Sequence, residues 1–214
     1  MDKYSKIAAL LILVSFAIAA YLYPQLPDIF PSNWNAMGQV DGYLPKLWGL
    51  FLLPLISVGL FGLFLAIPRI DPLKANIQNF RKYFDRFMVL IIAFLLYIHL
   101  LTISWALGFS FNFMYAMIPA FSLLFYYTGV LMQHSNRNWF IGIRTPWTLS
   151  SESVWDKTHR LGSKLFKAAA LIGLTGLLLP DYAIWLILIP VIAVTAYTVA
   201  YSYVEFQKEY SGRK

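Results

Sequence analysis

Six stretches of this chain are apolar for about as long as a helix needs to cross a hydrocarbon core, roughly 17–25 residues. They run over Ile7–Tyr23, Leu47–Ile67, Phe87–Phe109, Phe113–Met132, Leu165–Leu179 and Tyr182–Val204. The fifth is short, about 22 Å as a helix, and Lys164 and Lys167 can snorkel to extend it. The runs are continuously apolar and do not alternate every second residue, so outer-membrane strands are excluded. With 59% hydrophobic and 13% charged residues, the chain has more apolar surface than a soluble domain of its length could bury. A disulfide scaffold is excluded too, because there is no cysteine.

The sequence predicts an all-α, polytopic membrane protein: a six-transmembrane-helix bundle forming one membrane domain over 1–214. Residues 1–67 hold the first two helices and a loop at 24–46, and residues 83–132 hold helices three and four. A second long loop covers 133–164, and the last two helices lie within 165–204. Each half carries three spans with a Trp-containing loop between its first and second, a faint 3+3 inverted repeat of the kind transporters use. Lys3, Lys6 and the triplet Ala17-Ile18-Ala19 imitate a signal peptide. The apolar run outlasts an h-region of about 7–15 residues, so the first span reads as a retained helix.

Basic residues set the expected orientation. Every Lys and Arg except Lys46 falls in residues 1–6, 68–86, 133–167 or 205–214, and Arg213 and Lys214 are among them. The positive-inside rule puts those segments, and both termini, in the cytoplasm, with the protein in the cell membrane. The net charge of +7 is then topological. Its counter-charge is the anionic lipid bilayer, and no direct nucleic-acid contact is needed.

The expected external loop, PQLPDIFPSNWNAMGQVDGYLPK, holds four of the 11 prolines together with Gly38 and Gly42. Neither helix nor sheet is predicted for it, and Asp41-Gly42 reads as a turn pair. Either it is a solvated connector or, as we favour, an ordered cap anchored by Phe30, Trp34 and Tyr43.

In the second loop, Ser150 or Ser151 can N-cap a helix with Glu152 in its first turn. That helix would run through Trp155 and Arg160 and feed the fifth span near Gly162. Glu152, Asp156 and His159 share one face, a set that could hold a divalent metal. Against this, Asp156 can pair with Arg160, and one helix gives only three ligands, so no metal is assigned. The segment Gly142–Gly162 is expected to fold as one unit, with Glu152 paired to Arg144 or Arg160. Trp139 is expected in the headgroup belt, and Trp147 and Trp155 in fixed positions.

Within the spans, His99 is the only titratable group near a midplane, where it is a functional candidate or a neutral structural imidazole. Tyr115, Ser122, Tyr126, Gly129 and Gln133 form a polar stripe that could meet it. Gly162, Ala169, Gly173 and Gly176 form a small-residue packing stripe. No phosphate-cradling loop, nucleophile elbow or zinc helix is present. His134 and Asn138 echo a fragment of intramembrane proteases, but glutamate occurs only at Glu152, Glu205 and Glu209. The expectation is therefore a non-enzyme without cofactors.

LPDIFPSNWNAMGQVDGYLPK and NRNWFIGIRTPWTLSSESVWDKTHRLGSKLF resemble the two characteristic segments of the SdpI family of membrane proteins. Asn33 departs from the pattern, standing where many members have His, which weakens an imidazole-based role for this loop. The resemblance implies immunity and signal transduction: the best-known member protects its cell from a secreted toxic peptide and recruits a small transcriptional repressor to the membrane. By that likeness Trp34, Asn35, Gly38, Asp41, Gly42 and Lys46 would belong to a sensing face outside. Arg144, Thr145, Pro146, Trp147, Glu152, Trp155 and His159 would form a face inside. A small transporter with a midplane site around His99, and a structural membrane protein, stand as alternatives.

Overall fold

A computed structural model describes residues 2–211 of the chain; Arg213 and Lys214, counted above in the basic asymmetry, lie outside them. Eight α-helices are described: α1 (Lys3–Leu22), α2 (Lys46–Ile70), α3 (Lys74–Asn79), α4 (Arg81–Ala106), α5 (Phe113–His134), α6 (Pro146–Ser150), α7 (Glu152–Leu174) and α8 (Ala183–Ser211). Short 3₁₀ turns follow α1 and α7. The chain is an all-α membrane protein save for one two-stranded hairpin, β1 (Ile29–Trp34) and β2 (Val40–Pro45).

Five helices, α1, α2, α4, α5 and α8, are long and apolar enough to cross a bilayer. The expected fifth span is not among them. Its residues form the second half of α7, whose first half is the polar segment from Glu152 onward, and the helix gives way to a 3₁₀ turn at Thr175–Leu177. The reason is charge: Asp156, Lys157, Arg160, Lys164 and Lys167 lie within α7, so only its last part is apolar. Gly173 faces Ile187 and Ser122, a Cβ at Gly176 would stand 3.0 Å from Ala183, and Ala169 and Ala170 are buried. These small residues let α7 pack closely between α5 and α8.

The helices sort by halves of the chain. α1, α2 and α4 pack together around Ala8, Ile12, Phe64, Phe84, Met88 and Ile92. α5, α7 and α8 form the second group, with Ile118, Ala183 and Ile187 buried between α5 and α8. α4 and α5 join the two, helped by the Tyr97 hydroxyl donating to the Ala116 carbonyl at 2.8 Å. Helix starts are capped by local side chains: Asp2 accepts from Ser5 N, Asn112 from Tyr115 N, and Ser151 from Val154 N. Each satisfies a donor the helix itself leaves open.

The Pro-rich loop is a hairpin, contrary to the expectation of neither helix nor sheet. Two-stranded pairing tolerates Pro31 and Pro45 because both strands are edges. The reversal is also not at Asp41-Gly42, which lie inside β2. It is at Asn35–Gln39, where the Asn35 side-chain oxygen accepts from Met37 N and Gln39 N at 3.0 Å each, and Gly38 adopts φ +77°. Asn offers the backbone a local acceptor and Gly the left-handed conformation, which together close the turn.

Candidate functional site

The two faces singled out by sequence lie at opposite ends of the bundle. At the hairpin end, Trp34 stacks on Phe113 with ring centroids 3.8 Å apart. Gly38 sits against the Asn112 side chain, whose amide donates to the Met37 carbonyl at 3.1 Å. The same Asn112 caps α5, so the hairpin tip is fastened to the start of that helix. Phe30, with no exposed surface, lies against Gly49, and Lys46 reaches the Leu26 carbonyl (2.9 Å) and Asp28 (3.1 Å). The hairpin is thus an ordered cap held by Phe30 and Trp34. Tyr43, expected as a third anchor, is exposed, as is Asp41. Gly42 accommodates the neighbouring Asn33 side chain, 2.8 Å from where a Cβ would stand.

At the basic end, residues 135–163 form a compact platform. Trp155 is wholly buried, its indole donates to the Ser135 carbonyl at 2.9 Å, and its ring stacks on His159 at 3.8 Å. His159 Nδ1 donates to the Trp155 carbonyl, and Nε2 accepts from Ile143 N at 3.0 Å. Both ring nitrogens are therefore engaged, and burial pushes the imidazole down to about 4. No group of three potential ligands able to hold a metal occurs among the described residues. Thr145 and Thr148 close a capping box around α6 with Pro146 in its first turn, and Thr145 Oγ1 also bonds Ser202 on α8 at 3.0 Å. Trp147 packs on Tyr203 with centroids 5.0 Å apart. Trp139 is half exposed.

Glu152 pairs with Arg137 at 3.4 Å, not with Arg144 or Arg160. Arg144 instead donates to the Trp139 carbonyl at 2.7 Å. Nor does Asp156 pair with Arg160 among the described residues. Sequence spacing favours i, i+4 partners on one helix, but Arg137 is fixed by its own bond to the Leu149 carbonyl (2.9 Å), which carries it to the start of α7.

His99 faces the interior with no exposed surface, but meets α1 and not the polar stripe of α5. Its Nδ1 lies 2.8 Å from Ser15 Oγ, and Leu50, whose carbonyl loses its helical donor to Pro54, is its other polar neighbour. Most of the stripe faces α7 and the turn after it, while Tyr126 is exposed. Gln133 accepts from Lys167 (2.5 Å), Gly129 abuts Ser163, Ser122 lies beside Gly173, and Tyr115 donates to the Leu177 carbonyl.

Residues 135–202 match the model of the SdpI/YfhL protein family, and residues 10–58 match a domain of unknown function, DUF1648. The first match begins at the platform and the second spans α1, the hairpin and the start of α2. Over 96% of its length the chain is also 24% identical to the immunity protein SdpI of Bacillus subtilis (strain 168), 97% of which is covered. Both matches and this relative make the chain similar to the SdpI family along most of its length. No solved structure matches it.

Two residues central to the platform were not read from the sequence as its brackets, although Asn138 was noted beside His134. Asp71, 2% exposed, accepts from Leu73 N and from Trp139 N at 2.9 Å, tying the loop after α2 to the platform. Asn138, wholly buried, accepts from Phe140 N and Ile141 N and donates to the Asn136 and Ile141 carbonyls. Loop Asp and Asn residues readily serve as such backbone brackets, and that chemistry was the available signal.

Proposed function

We propose that this SdpI-like membrane protein is an immunity and sensor protein, non-enzymatic, that receives a secreted peptide at the hairpin and engages a transcriptional repressor at the platform. Both termini and the platform face the cytoplasm in this reading, which the distribution of Lys and Arg supports. The observation that carries it is α5. Its first residues, Asn112 and Phe113, hold the hairpin tip, and its end leads directly into Ser135, the acceptor for Trp155. One rigid helix thus joins the surface available to an external ligand to the one available to an internal partner, a contiguous route by which binding at one could bias the other. The enclosure of His99, with no exposed surface, gives a transporter no aqueous path at that residue.

The test is protection of sensitive cells against the secreted toxic peptide of the Bacillus system, read beside membrane levels of the protein. Trp34→Ala should abolish protection at unchanged abundance. Full protection by Trp34→Ala would sink the role of the hairpin. Orientation is checked separately with a cysteine placed at Gln39, since the natural chain has none. Thiol reagents that do not cross membranes should label it in intact cells, and labelling only after lysis would reverse the topology.

A further inference from the structure

Between the end of α5 and the middle of α7 lies a cleft of about 550 Å³, lined by Gln133, Asn136, Asp156, Arg160, Lys164 and Lys167 among others. Arg160, Lys164 and Lys167 are spaced i, i+4 and i+7, which stacks them on one face of α7. Three cations line the cleft against one carboxylate, Asp156. Elsewhere at this end four cations are matched internally: Lys157 and Lys208 by Glu205, Arg81 by Asp85, and Arg137 by Glu152. None of the ion pairs among the described residues involves Arg160, Lys164 or Lys167, and Lys167 bonds only the neutral Gln133 amide oxygen. Beyond Asp156, no described residue supplies counter-charge to this cleft. The floor adds no charge, because the His159 imidazole is buried and already bonded through both nitrogens.

One helical turn further along the same face the surface becomes apolar. Leu171 and Leu174, seven residues beyond Lys164 and Lys167, are 58% and 38% exposed. A cationic cleft continuous with an exposed apolar strip fits an amphiphile carrying a negative charge at one end. Guanidinium forks match phosphate oxygens in two-point contacts, and ammonium groups supply point charge. Basic pockets between transmembrane helices hold lipid phosphates by this chemistry.

We propose that the cleft binds the phosphate of an anionic phospholipid, with Arg160, Lys164 and Lys167 on the headgroup and the acyl chains along Leu171 and Leu174. The site is independent of the immunity reading and of the direction in which the chain crosses the bilayer. It is tested on the full chain in detergent micelles, by native mass spectrometry and melting temperature. The probes are dioleoyl phosphatidylglycerol, dioleoyl phosphatidylcholine and inorganic phosphate. Phosphatidylglycerol should bind and raise the melting temperature, while phosphatidylcholine and phosphate should do so weakly. The double variant Arg160→Gln/Lys164→Gln should weaken phosphatidylglycerol binding about tenfold or more. The charge-matched Lys74→Gln/Lys82→Gln variant, at exposed positions outside the cleft, should retain it within about twofold. Equal losses in the two variants, or none in either, would overturn the site. Inorganic phosphate binding as tightly as phosphatidylglycerol would overturn the lipid as its ligand.

Discussion

Trp155→Ala is expected to be among the most destabilising single substitutions in the chain, at about 3–5 kcal/mol, the range for deleting a buried large aromatic. The side chain has no exposed surface, so its removal leaves a cavity under the platform. Two further links fail with it. The Ser135 carbonyl at the end of α5 loses its indole donor from α7, and the His159 ring loses its stacking partner. Trp155→Phe should fall between, keeping a ring on His159 but leaving Ser135 without a partner, a loss of about 1–3 kcal/mol for an orphaned buried acceptor. Trp139→Ala, at a half-exposed position, should change stability little. Melting temperatures of the purified variants in one detergent decide the matter. Similar losses at Trp139 and Trp155 would mean that the platform is not built around Trp155. The expectation also bears on protection assays: Trp155→Ala is a poor probe of signalling because it removes the scaffold together with any binding surface.

Hydropathy made the membrane class and five spans legible, because burial in lipid leaves a long apolar run that no tertiary contact disguises. Local chemistry was equally readable: Ser151 does cap a helix that passes through Trp155 and Gly162 without a break. What escaped depends on distant partners. The hairpin was hidden because Pro31 and Pro45 argue against strands unless both strands are edges, and the register is set by Asn35, not by the more familiar Asp-Gly pair. The partner of Glu152 was missed because Arg137 reaches it through a loop conformation, not through helical spacing. Asp71 and Asn138 lie in connecting segments with no periodicity to mark them as buried. The fifth span was harder to read for a related reason: its apolar run is only the second half of α7, a helix with a polar first half that packs along α5 and α8 from the platform to Leu177, beside Tyr115 at the start of α5.

Acid should loosen the platform through His159. In the folded chain the imidazole is buried, Nδ1 donates to the Trp155 carbonyl, and Nε2 must stay unprotonated to accept from Ile143 N. Gly142, at φ +108°, leaves room for this contact, since a Cβ there would overlap His159 Nε2. Protonating Nε2 would set two donors against each other in a buried site. Burial accordingly holds the group down at about 4, against 6.5 for an ordinary histidine. Above about pH 6.5 neither the folded nor the unfolded chain carries this proton, and stability is independent of it. As pH falls from about 6.5 to about 4 the unfolded chain takes up the proton and the folded one does not, so stability drops. The loss amounts to roughly 3 kcal/mol once both forms are protonated. The measurement is the melting temperature of the natural chain and of His159→Gln in one detergent, from pH 7.5 to pH 4. Carboxylates and the other two histidines contribute to both profiles and drop out of the difference. The natural chain should therefore lose stability more steeply than His159→Gln between about pH 6.5 and 4, and the two should run parallel above that window. Profiles parallel throughout would mean that His159 takes up its proton as easily folded as unfolded, which the Ile143 contact does not allow.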